Sequence, residues 1–448
     1  DKNLPSEGYQ SQSPTPEPVL IPLSVHGLQP RQFSGHALKI VDRLQSLGYQ
    51  ACIVGGSVRD LLLGQTPKDF DVATSATPEQ IQEAFKNARL IGRRFRLAHV
   101  RFGREIIEVA TFRGESGGKG DGSDTKGASR EMEQGRLVRD NVYGSEAEDA
   151  LRRDFTVNAL MYDPSTETIK DYVGGFEDLK ARKLELIGDP ETRYTEDPVR
   201  LLRAVRFMTK LGLNFAPPTA APIRSMAALL QDIPPARLFD EILKLFLSGQ
   251  AWSTYQALVE FDLWDQLFPS LFSNPRTPPP LVELALKNTD TRVLEGQPVT
   301  PGFLFAVFLW ARVQTRSEVL IQKGYPPVNA LGEAADEVLS KQAQTVSIHR
   351  RFSSMAREIW CMQPRFLKKN QRRAERMVHE RRFRAAYDFL LLRVSEEPEL
   401  REVADWWTKI QSELPESAPV KSGEPPSRGR RRRPRRRRRL SNAVSPSR

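Results

Sequence analysis

Hydrophobic and polar residues follow two different periods along this chain, and each period predicts a different kind of structure. From residue 34 to residue 112, short apolar runs alternate with helically spaced apolar positions. Ser34 is placed to cap a helix that reaches Leu47, and Gly48 is placed to end it. Strands are predicted at Ala51 to Val54, Asp69 to Ala73, Leu97 to Phe102 and Glu105 to Phe112. This alternation is typical of an α/β domain.

Helix-start signals extend the same interpretation. Thr77 with Gln80, and Ser145 with Glu148, have the spacing of capping boxes and predict two further helices. From Glu196 onward helical periodicity dominates, interrupted by proline-rich breaks. We therefore predict an α+β fold, in which an amino-terminal α/β head is followed by an all-helical neck and body, with disordered termini.

The predicted domain boundaries follow from these changes of pattern and composition. Seven glycines and almost no large apolar side chains between residues 114 and 135 predict a mobile loop within the head. The division is a disordered leader at 1–30, a head at 31–165 containing the loop at 114–135, a neck at 166–245, a body at 246–415 and a disordered arginine-rich arm at 416–448.

Composition narrows the class of protein. The chain has 448 residues, of which 39% are hydrophobic, and no apolar run approaches the ~20 residues that a membrane-spanning helix needs. Cys52 and Cys361 are too few and too scattered for a disulfide framework or a structural zinc site, so both are interpreted as core thiols. These features predict a cytoplasmic protein with no transmembrane segment.

The net charge of +11 is confined to one end of the chain. Between residues 421 and 448 there are twelve lysines and arginines and one glutamate, so this segment alone carries the charge of the whole chain. Arginine clusters bind phosphate polymers well, which favours RNA as a partner of the arm. A solubilising tail, a docking site for RNA-decay proteins and contact with an anionic membrane surface remain alternatives.

The candidate chemistry lies in the first part of the head. Asp69 and Asp71 alternate along a predicted strand, which would place their Cα atoms roughly 6.5 Å apart on one face. Magnesium takes one or two carboxylates together with phosphate oxygens. Upstream, Gly55 and Gly56 allow close backbone approach, and the amides of the following helix favour a triphosphate. Arg59 would face that triphosphate, unless it is a surface arginine paired with Asp60.

Motifs in a specific order carry a resemblance to a known family. They are Gly55-Gly56-Ser57-Val58-Arg59-Asp60, Asp69-Phe70-Asp71, Arg152-Arg153-Asp154-Phe155-Thr156 and Glu196-Asp197-Pro198-Val199-Arg200-Leu201-Leu202-Arg203-Ala204-Val205-Arg206-Phe207. Together they resemble the class II branch of the DNA polymerase β nucleotidyltransferase superfamily, which holds bacterial poly(A) polymerases and CCA-adding enzymes. The resemblance implies a nucleotidyltransferase head and template-independent transfer from a nucleoside triphosphate to an RNA 3′ hydroxyl, with two magnesium ions.

The resemblance also implies roles for individual residues. Catalysis would rest on Asp69, Asp71 and Asp154, and metal binding on Asp69 and Asp71. The neck would read the incoming base through Asp197 and Arg200, which a helix would bring to one face. The nucleotide contacts as a whole would be Gly55, Gly56, Arg59, Arg153, Asp197, Arg200, Arg203 and Arg206.

The third acid of the site has two candidates. Glu108 lies in a predicted strand whose alternation lets its carboxylate face the metals, so geometry favours it as a metal ligand. The family motif favours Asp154, which would alternatively orient the ribose or Arg153. Gly174 and Gly175, where head and neck would meet, suit a hinge.

Within this branch the chain resembles the bacterial poly(A) polymerases. The resemblance is carried by the segment from Arg93 to Val100, by Lys287 to Arg292, by Phe383 to Asp388 and by the arginine-rich arm. It implies ATP as substrate and, as acceptors, RNA 3′ ends of mRNA, regulatory RNA and tRNA precursors, with a role in RNA turnover. A CCA-adding tRNA nucleotidyltransferase and a non-catalytic RNA-binding protein are the alternatives.

Overall fold

The computed structural model describes residues 16–92, 96–114, 130–133, 136–140 and 142–413. The predicted arginine-rich arm, the first half of the predicted leader, most of the predicted glycine-rich loop and the residues from Arg93 to Phe95 lie outside these ranges. Within them the predicted fold class is confirmed, because a mixed sheet near the amino terminus is followed by helices.

An eight-stranded sheet forms the framework of the head. The strands of the described chain are β1 Val19–Pro22, β2 Ala51–Val54, β3 Asp71–Thr74, β4 Ala88–Ile91, β5 Leu97–Phe102, β6 Glu105–Thr111, β7 Arg130–Glu133, β8 Arg136–Asp140, β9 Met161–Asp163, β10 Thr168–Asp171, β11 Lys183–Leu184 and β12 Asn214–Phe215. The sheet order is β1-β10-β9-β2-β3-β6-β5-β4, and β7 with β8 and β11 with β12 form two small pairs. Only β3 and β6 run parallel among neighbours in the large sheet.

The helices of the head are short, and those of the neck and body are longer. The head has α1 Leu23–His26, α2 Gly35–Ser46, α3 Gly56–Leu62, α4 Pro78–Ala84, α5 Glu146–Leu151 and α6 Gly175–Lys180. The neck has α7 Pro190–Glu196, α8 Val199–Leu211, α9 Pro217–Ala220, α10 Ile223–Met226 and α11 Pro235–Phe246. The body has α12 Ala251–Glu260, α13 Trp264–Leu267, α14 Pro280–Leu294, α15 Pro301–Gln322, α16 Pro327–Thr345, α17 Arg350–Phe366, α18 Gln371–Val378, α19 Phe383–Arg393 and α20 Arg401–Glu413.

Both predicted capping boxes form. The Thr77 hydroxyl accepts a hydrogen bond from the Gln80 amide, and the Gln80 side chain accepts one from the Thr77 amide at 2.8 Å. Ser145 and Glu148 make the same reciprocal pair at the start of α5. The second box matters for the site, since α5 leads directly into Arg153 and Asp154.

The prediction that residues 1–30 are disordered is wrong for the second half of that range. Residues Val19–Pro22 form β1, which pairs antiparallel with β10 at one edge of the sheet. Ile21 is buried, whereas Val19 and Leu20 are exposed. Prolines obscured this strand in the sequence, but an edge strand tolerates proline because its missing N–H faces away from the ladder.

Two further boundaries need correction. The predicted end of the head at residue 165 cuts between β9 and β10, which pair with each other in the main sheet, so the head extends further. The predicted loop at 114–135 also overlaps strand β7, which pairs with β8. These strands are only three and four residues long, which is too short for a clear period of two.

The connection from β10 to α6 is tightly packed rather than hinge-like. One Asp171 carboxylate accepts hydrogen bonds from the amides of Val173 through Phe176. A Cβ at Gly175 would lie 2.1 Å from the Thr156 carbonyl oxygen, so only glycine fits there. Close packing therefore explains this glycine, and the hinge prediction finds no support.

The body is held by aromatic packing. Trp264 contacts the rings of Phe246, Phe268 and Phe308, and all four side chains are buried. Across the described residues, no helix is both long enough and apolar enough to cross a membrane.

Candidate active site

A cleft of about 470 Å³ opens where the head faces α8 of the neck. It gathers ten of the twelve residues that the sequence singled out, and only Asp69 and Glu108 are not part of its wall. Two wall residues had no predicted role, Asn158 and Phe207. The complete lining is Gly55, Gly56, Arg59, Asp71, Arg153, Asp154, Asn158, Asp197, Arg200, Arg203, Arg206 and Phe207.

The acidic edge of the cleft is set by strand register. Asp71 lies directly opposite Glu108 on the parallel neighbour β6, so both side chains project from the same face of the sheet. The neighbouring β5 adds His99, whose Nε2 lies 3.2 Å from Glu108 Oε1. Asp69 precedes the first residue of β3, so the prediction that it belongs to the strand is wrong.

These carboxylates are not neutralised by the protein around them. Enclosure in the cleft raises the pKa of Asp71 to about 6, with further contributions from the charges of Glu108 and Asp69, against a smaller opposing effect of Arg153. All three acids have exposed side chains. An external cation would therefore relieve a real electrostatic cost at this edge.

The donor set suits a hard cation that keeps other ligands. Among the residues that the structure describes, no group of three or more His, Cys, Asp or Glu side chains forms a ready-made metal cage. Carboxylates without such a cage are what magnesium uses when substrate phosphates and water complete its coordination. Asp69, Asp71 and Glu108 thus fit magnesium and do not fit a structural zinc site.

The glycine turn before α3 has a conformation that only glycine adopts easily. Gly55 has φ +74° and ψ −131°, and a Cβ there would lie 3.2 Å from Arg153 Nη1. The turn thus presents bare backbone to the cleft.

Arg59, one turn into α3, is buried rather than on the surface. Its guanidinium donates to Asp60 at 2.5 and 2.9 Å. The predicted pair with Asp60 therefore forms, but with a buried arginine rather than a surface one.

Asn158 joins two of the predicted site residues. Its Oδ1 accepts a hydrogen bond from Arg59 Nη1 at 2.5 Å, and its Nδ2 donates to Asp154 Oδ1 at 2.9 Å. The Asn158 amide therefore fixes Arg59 relative to Asp154. Asn158 lies on the 3₁₀ turn Thr156–Asn158, four residues after Asp154.

Asp154 is already neutralised by the neck. Its Oδ2 accepts from both Arg203 Nε, at 2.8 Å, and Arg203 Nη2. Burial alone would raise its pKa, but the Arg203 charge and the hydrogen bonds from Asn158, Arg203 and the Phe155 amide hold the pKa well below its usual range. Asp154 is thus a fixed anion that ties the head to α8.

Arg153 is held from the opposite side. It donates to Asp149 at 2.8 Å, and although burial disfavours its charge, Asp149 raises the pKa of the guanidinium overall. One face of the arginine is therefore occupied by the head. Asp149 lies on α5, which the Ser145 capping box begins.

The two residues predicted to read the base, Asp197 and Arg200, do not lie on one helix as expected. Asp197 follows the end of α7, and α8 begins at Val199, so the two residues flank a break rather than sharing one helix. Arg200 Nη1 donates to the Arg193 carbonyl at 2.7 Å and to Glu196 at 3.1 Å. Asp197 Oδ2 accepts from Arg237 at 2.7 Å, while its buried Oδ1 has no hydrogen-bond partner among the described residues.

Phe207 is the aromatic centre of the cationic wall. The guanidinium carbons of Arg59, Arg203 and Arg206 lie 5.1, 5.3 and 4.4 Å from its ring centroid. Arg206 also donates to the buried Glu241 at 2.9 Å. The ring stabilises three closely spaced cations by cation–π contact, which is one reason that they stay together without phosphate.

Sequence reasoning missed the residues that support the wall. Phe207 ends a quoted motif directly after Arg206, so an aromatic residue beside a cation was its available signal, whereas Asn158 lies two residues beyond the motif that ends at Thr156. Asp149 had a local signal, because it lies four residues before Arg153, whereas Arg237 and Glu241 gave none, because their partners lie 40 and 35 residues away in the chain.

The fold and cleft define the class of protein as a nucleotidyltransferase, and comparison with known proteins agrees. A model of the Poly A polymerase head domain matches residues 51–185. Models of a probable RNA- and SrmB-binding site of polymerase A and of the polymerase A arginine-rich C-terminus match residues 212–274 and 323–439. The chain also superposes on the CCA-adding enzyme of Bacillus stearothermophilus in complex with CTP, with TM-score 0.59 and 25% identity, covering 86% of this chain and 82% of that chain.

Sequence similarity then selects the family. Poly(A) polymerase I of Escherichia coli O157:H7 is 46% identical over 94% of this chain and 93% of its own length. The CCA-adding enzyme of Bacillus pumilus is 35% identical over 52% of this chain and 54% of its own. The chain belongs to the bacterial poly(A) polymerase family, whose members are polynucleotide adenylyltransferases, as the motifs predicted.

Proposed function

We propose that this enzyme transfers AMP from ATP to RNA 3′ ends without a template, releases pyrophosphate and thereby promotes RNA turnover in the cytoplasm. The observation that carries this proposal is the cleft in which bare glycine backbone, five arginines, Asp71 with its raised pKa, and Asp197 with its buried, unpartnered carboxylate oxygen meet. Such a wall suits a ligand with a polyphosphate at one end and a hydrogen-bonding base at the other.

In the reaction, the RNA 3′ oxygen forms a bond to the α-phosphorus of ATP, and the bond from that phosphorus to the pyrophosphate breaks. Asp69 and Asp71, with Glu108 beside them, would hold two magnesium ions. When bound, the ions supply charge neutralisation on the phosphates and promote loss of the 3′-hydroxyl proton. Gly55 and Gly56 let the backbone approach the phosphates, and Arg59 and Arg153 neutralise their charge.

Asp154 has a positioning role in this proposal. Its carboxylate is occupied by Arg203 and Asn158, so little of it remains for a metal. It keeps Arg203 in the wall and sets the distance between the head and α8. The third metal-side acid is therefore Glu108, which lies beside Asp71 and has only His99 near its carboxylate among the described hydrogen bonds.

The base would be read by Asp197 and Arg200. The free Asp197 Oδ1 accepts a hydrogen bond from an exocyclic amino group, and Arg200 donates to the adjacent ring nitrogen. Adenine and cytosine share this donor and acceptor pattern, whereas guanine and uracil do not. The pair therefore excludes two of the four bases, and the choice of ATP over CTP depends on the space around the base.

Nucleotide preference tests the function. The purified enzyme is incubated with RNA ending in CC and with RNA lacking CCA, supplied with ATP alone or with CTP and ATP. We expect long untemplated adenylate runs from ATP alone on both acceptors. Addition that stops after completing CCA would instead identify a CCA-adding enzyme, and no incorporation under any condition would leave only RNA binding.

A further inference from the structure

A second cavity lies in the body and shares no residue with the cleft. It is enclosed by α14, the segment that follows α14, the start of α15 and the residues from Arg381 to Leu392, and its volume is about 580 Å³. Two stretches of the chain, Leu284 to Phe303 and Arg381 to Leu392, form this space together with Met355 of α17. Its size falls within the range typical of small-ligand sites.

The floor of the cavity is apolar and partly open. Phe303 and Leu392 belong to the core, whereas Leu284 and Leu391 are 38% and 41% exposed. Exposed apolar side chains that line a concavity with a polar rim mark a binding surface more often than chance. The floor is therefore suited to a flat apolar group.

The rim is cationic and incompletely paired. Arg292 is held by the Pro298 carbonyl at 3.0 Å, and within the described chain neither it nor Arg381 forms a salt bridge, whereas Arg382 pairs with Glu358 at 2.9 Å. Arg384 pairs with Asp388 at 3.0 Å, but its own side chain is 74% exposed. Four arginines, Arg292, Arg381, Arg382 and Arg384, thus line the cavity together with one carboxylate, that of Asp388.

We propose that this cavity binds a nucleotide of the acceptor RNA upstream of its 3′ end. A nucleotide combines a flat base for the leucine floor with a phosphate for the arginine rim, and Asn288 and Asp388 can meet amino and 2′-hydroxyl donors. An acidic peptide would supply carboxylates for the arginine rim but no flat base for the leucine floor, so RNA fits better.

The inference rests on the proposed function, because the acceptor is taken to be RNA. A second contact far from the reacting end holds longer acceptors more tightly without altering the chemistry at the cleft. Its effect should therefore depend on acceptor length.

Removal of the rim charge tests the site. In the full chain, Arg381→Gln with Arg384→Gln should weaken binding of a long fluorescein-labelled oligo(A) by about tenfold and reduce the slope of log affinity against log salt by about 1.4, the value for two lost single-strand phosphate contacts. The KM for the long acceptor should rise relative to the KM for triadenylate. Arg372→Gln with Arg376→Gln on α18 removes the same charge outside the cavity and should change neither quantity.

Substitution of the two exposed floor leucines tests whether the cavity binds a base. Wild-type enzyme should bind long oligo(A) more tightly than an abasic strand of equal length, and Leu284→Asn with Leu391→Asn should reduce that preference while circular dichroism stays unchanged. Equal losses from both arginine pairs, or tighter competition by polyglutamate than by oligo(A), would overturn the inference. Failure of the wild type to extend any RNA would instead overturn the proposed function.

Discussion

Two groups of acids on either side of the same cleft differ in how their charge is compensated. At the acidic edge of the cleft, Asp71 lies opposite Glu108 on the neighbouring strand. The pKa of Asp71 is raised to about 6, because enclosure and neighbouring acids disfavour its charge. Asp154, also in the wall of the cleft, is more deeply buried, yet Arg203 and Asn158 hold its pKa well below its usual range.

We propose that this difference separates acids that bind a cation from an acid whose charge is already balanced by Arg203. The edge acids gain most from an external divalent ion, whereas Asp154 gains little because its charge is satisfied within the protein. A family motif alone does not make this distinction, since Asp69, Asp71 and Asp154 are all aspartates that lie within the motifs. Compensation of charge thus separates metal binding from positioning.

The largest expected effect comes from the edge acids. Asp69→Asn or Asp71→Asn should lower kcat by about a thousandfold or more, because neutral amides hold magnesium poorly. Single-turnover incorporation of labelled ATP measures the loss, and circular dichroism confirms the fold. Activity within tenfold of wild type in either variant would contradict the metal assignment.

A smaller but broader effect is expected for Asp154→Asn. The substitution leaves Arg203 without its partner, which should cost about 2–3 kcal/mol of stability, less than a fully buried pair because the Arg203 side chain is 33% exposed. We also expect kcat/KM for ATP to fall about a hundredfold through loss of position.

The pH dependence of the same variant has a defined sign. Because the folded-state pKa of Asp154 lies below the ordinary value, its stabilisation is present at neutral pH and lost as pH falls below about 4. Denaturant titrations of wild type and Asp154→Asn should therefore differ at pH 7 and converge in acid. A constant difference would mean that the ion pair is not the cause.

Asn158 provides a finer test of the positioning network. Asn158→Ala removes the link between Arg59 and Asp154 while both charges remain, and should lower kcat/KM for ATP about tenfold. Initial-rate kinetics with varied ATP measure the change. The matched control is Gln45→Ala, which removes a side-chain amide that donates to Asp163, outside the cleft. This variant should leave the kinetics unchanged.

The smallest effect concerns the edge acids without metal. Since the pKa of Asp71 is raised, its ionised form is disfavoured in the folded state, and this cost appears as pH rises through 4 to 6. In chelator-treated enzyme at pH 8, Asp71→Asn should therefore raise Tm by about 2 °C, a value reduced for solvent exposure of the side chain. At pH 4 the difference should vanish. A lower Tm at pH 8 would contradict the account.

Local signals in the sequence predicted much of this geometry. Thr77 and Ser145 fixed two helix starts because capping is decided within four residues, and alternation along β6 correctly placed Glu108 on the face of Asp71. The catalytic and metal-binding roles of these acids stay predictions.

Long-range and very short features were harder to predict. The partners of Asp197 and Arg206, which are Arg237 and Glu241, lie on α11 and become visible only after folding. β1 was hidden between prolines, and the break before Val199 was hidden by a continuous helical period. Tertiary pairing decided β1, whereas the break before Val199 had a local signal, because Pro198 disfavours helical backbone at Asp197.

Metal affinity separates the two acid groups most directly. Titration with Mn²⁺, which accepts the same oxygen ligands as magnesium, can be followed by electron paramagnetic resonance in wild type, Asp71→Asn, Glu108→Gln and Asp154→Asn. We expect Mn²⁺ binding to be lost or strongly weakened in Asp71→Asn and Glu108→Gln and retained in Asp154→Asn. Retained affinity in Glu108→Gln together with loss in Asp154→Asn would contradict the account.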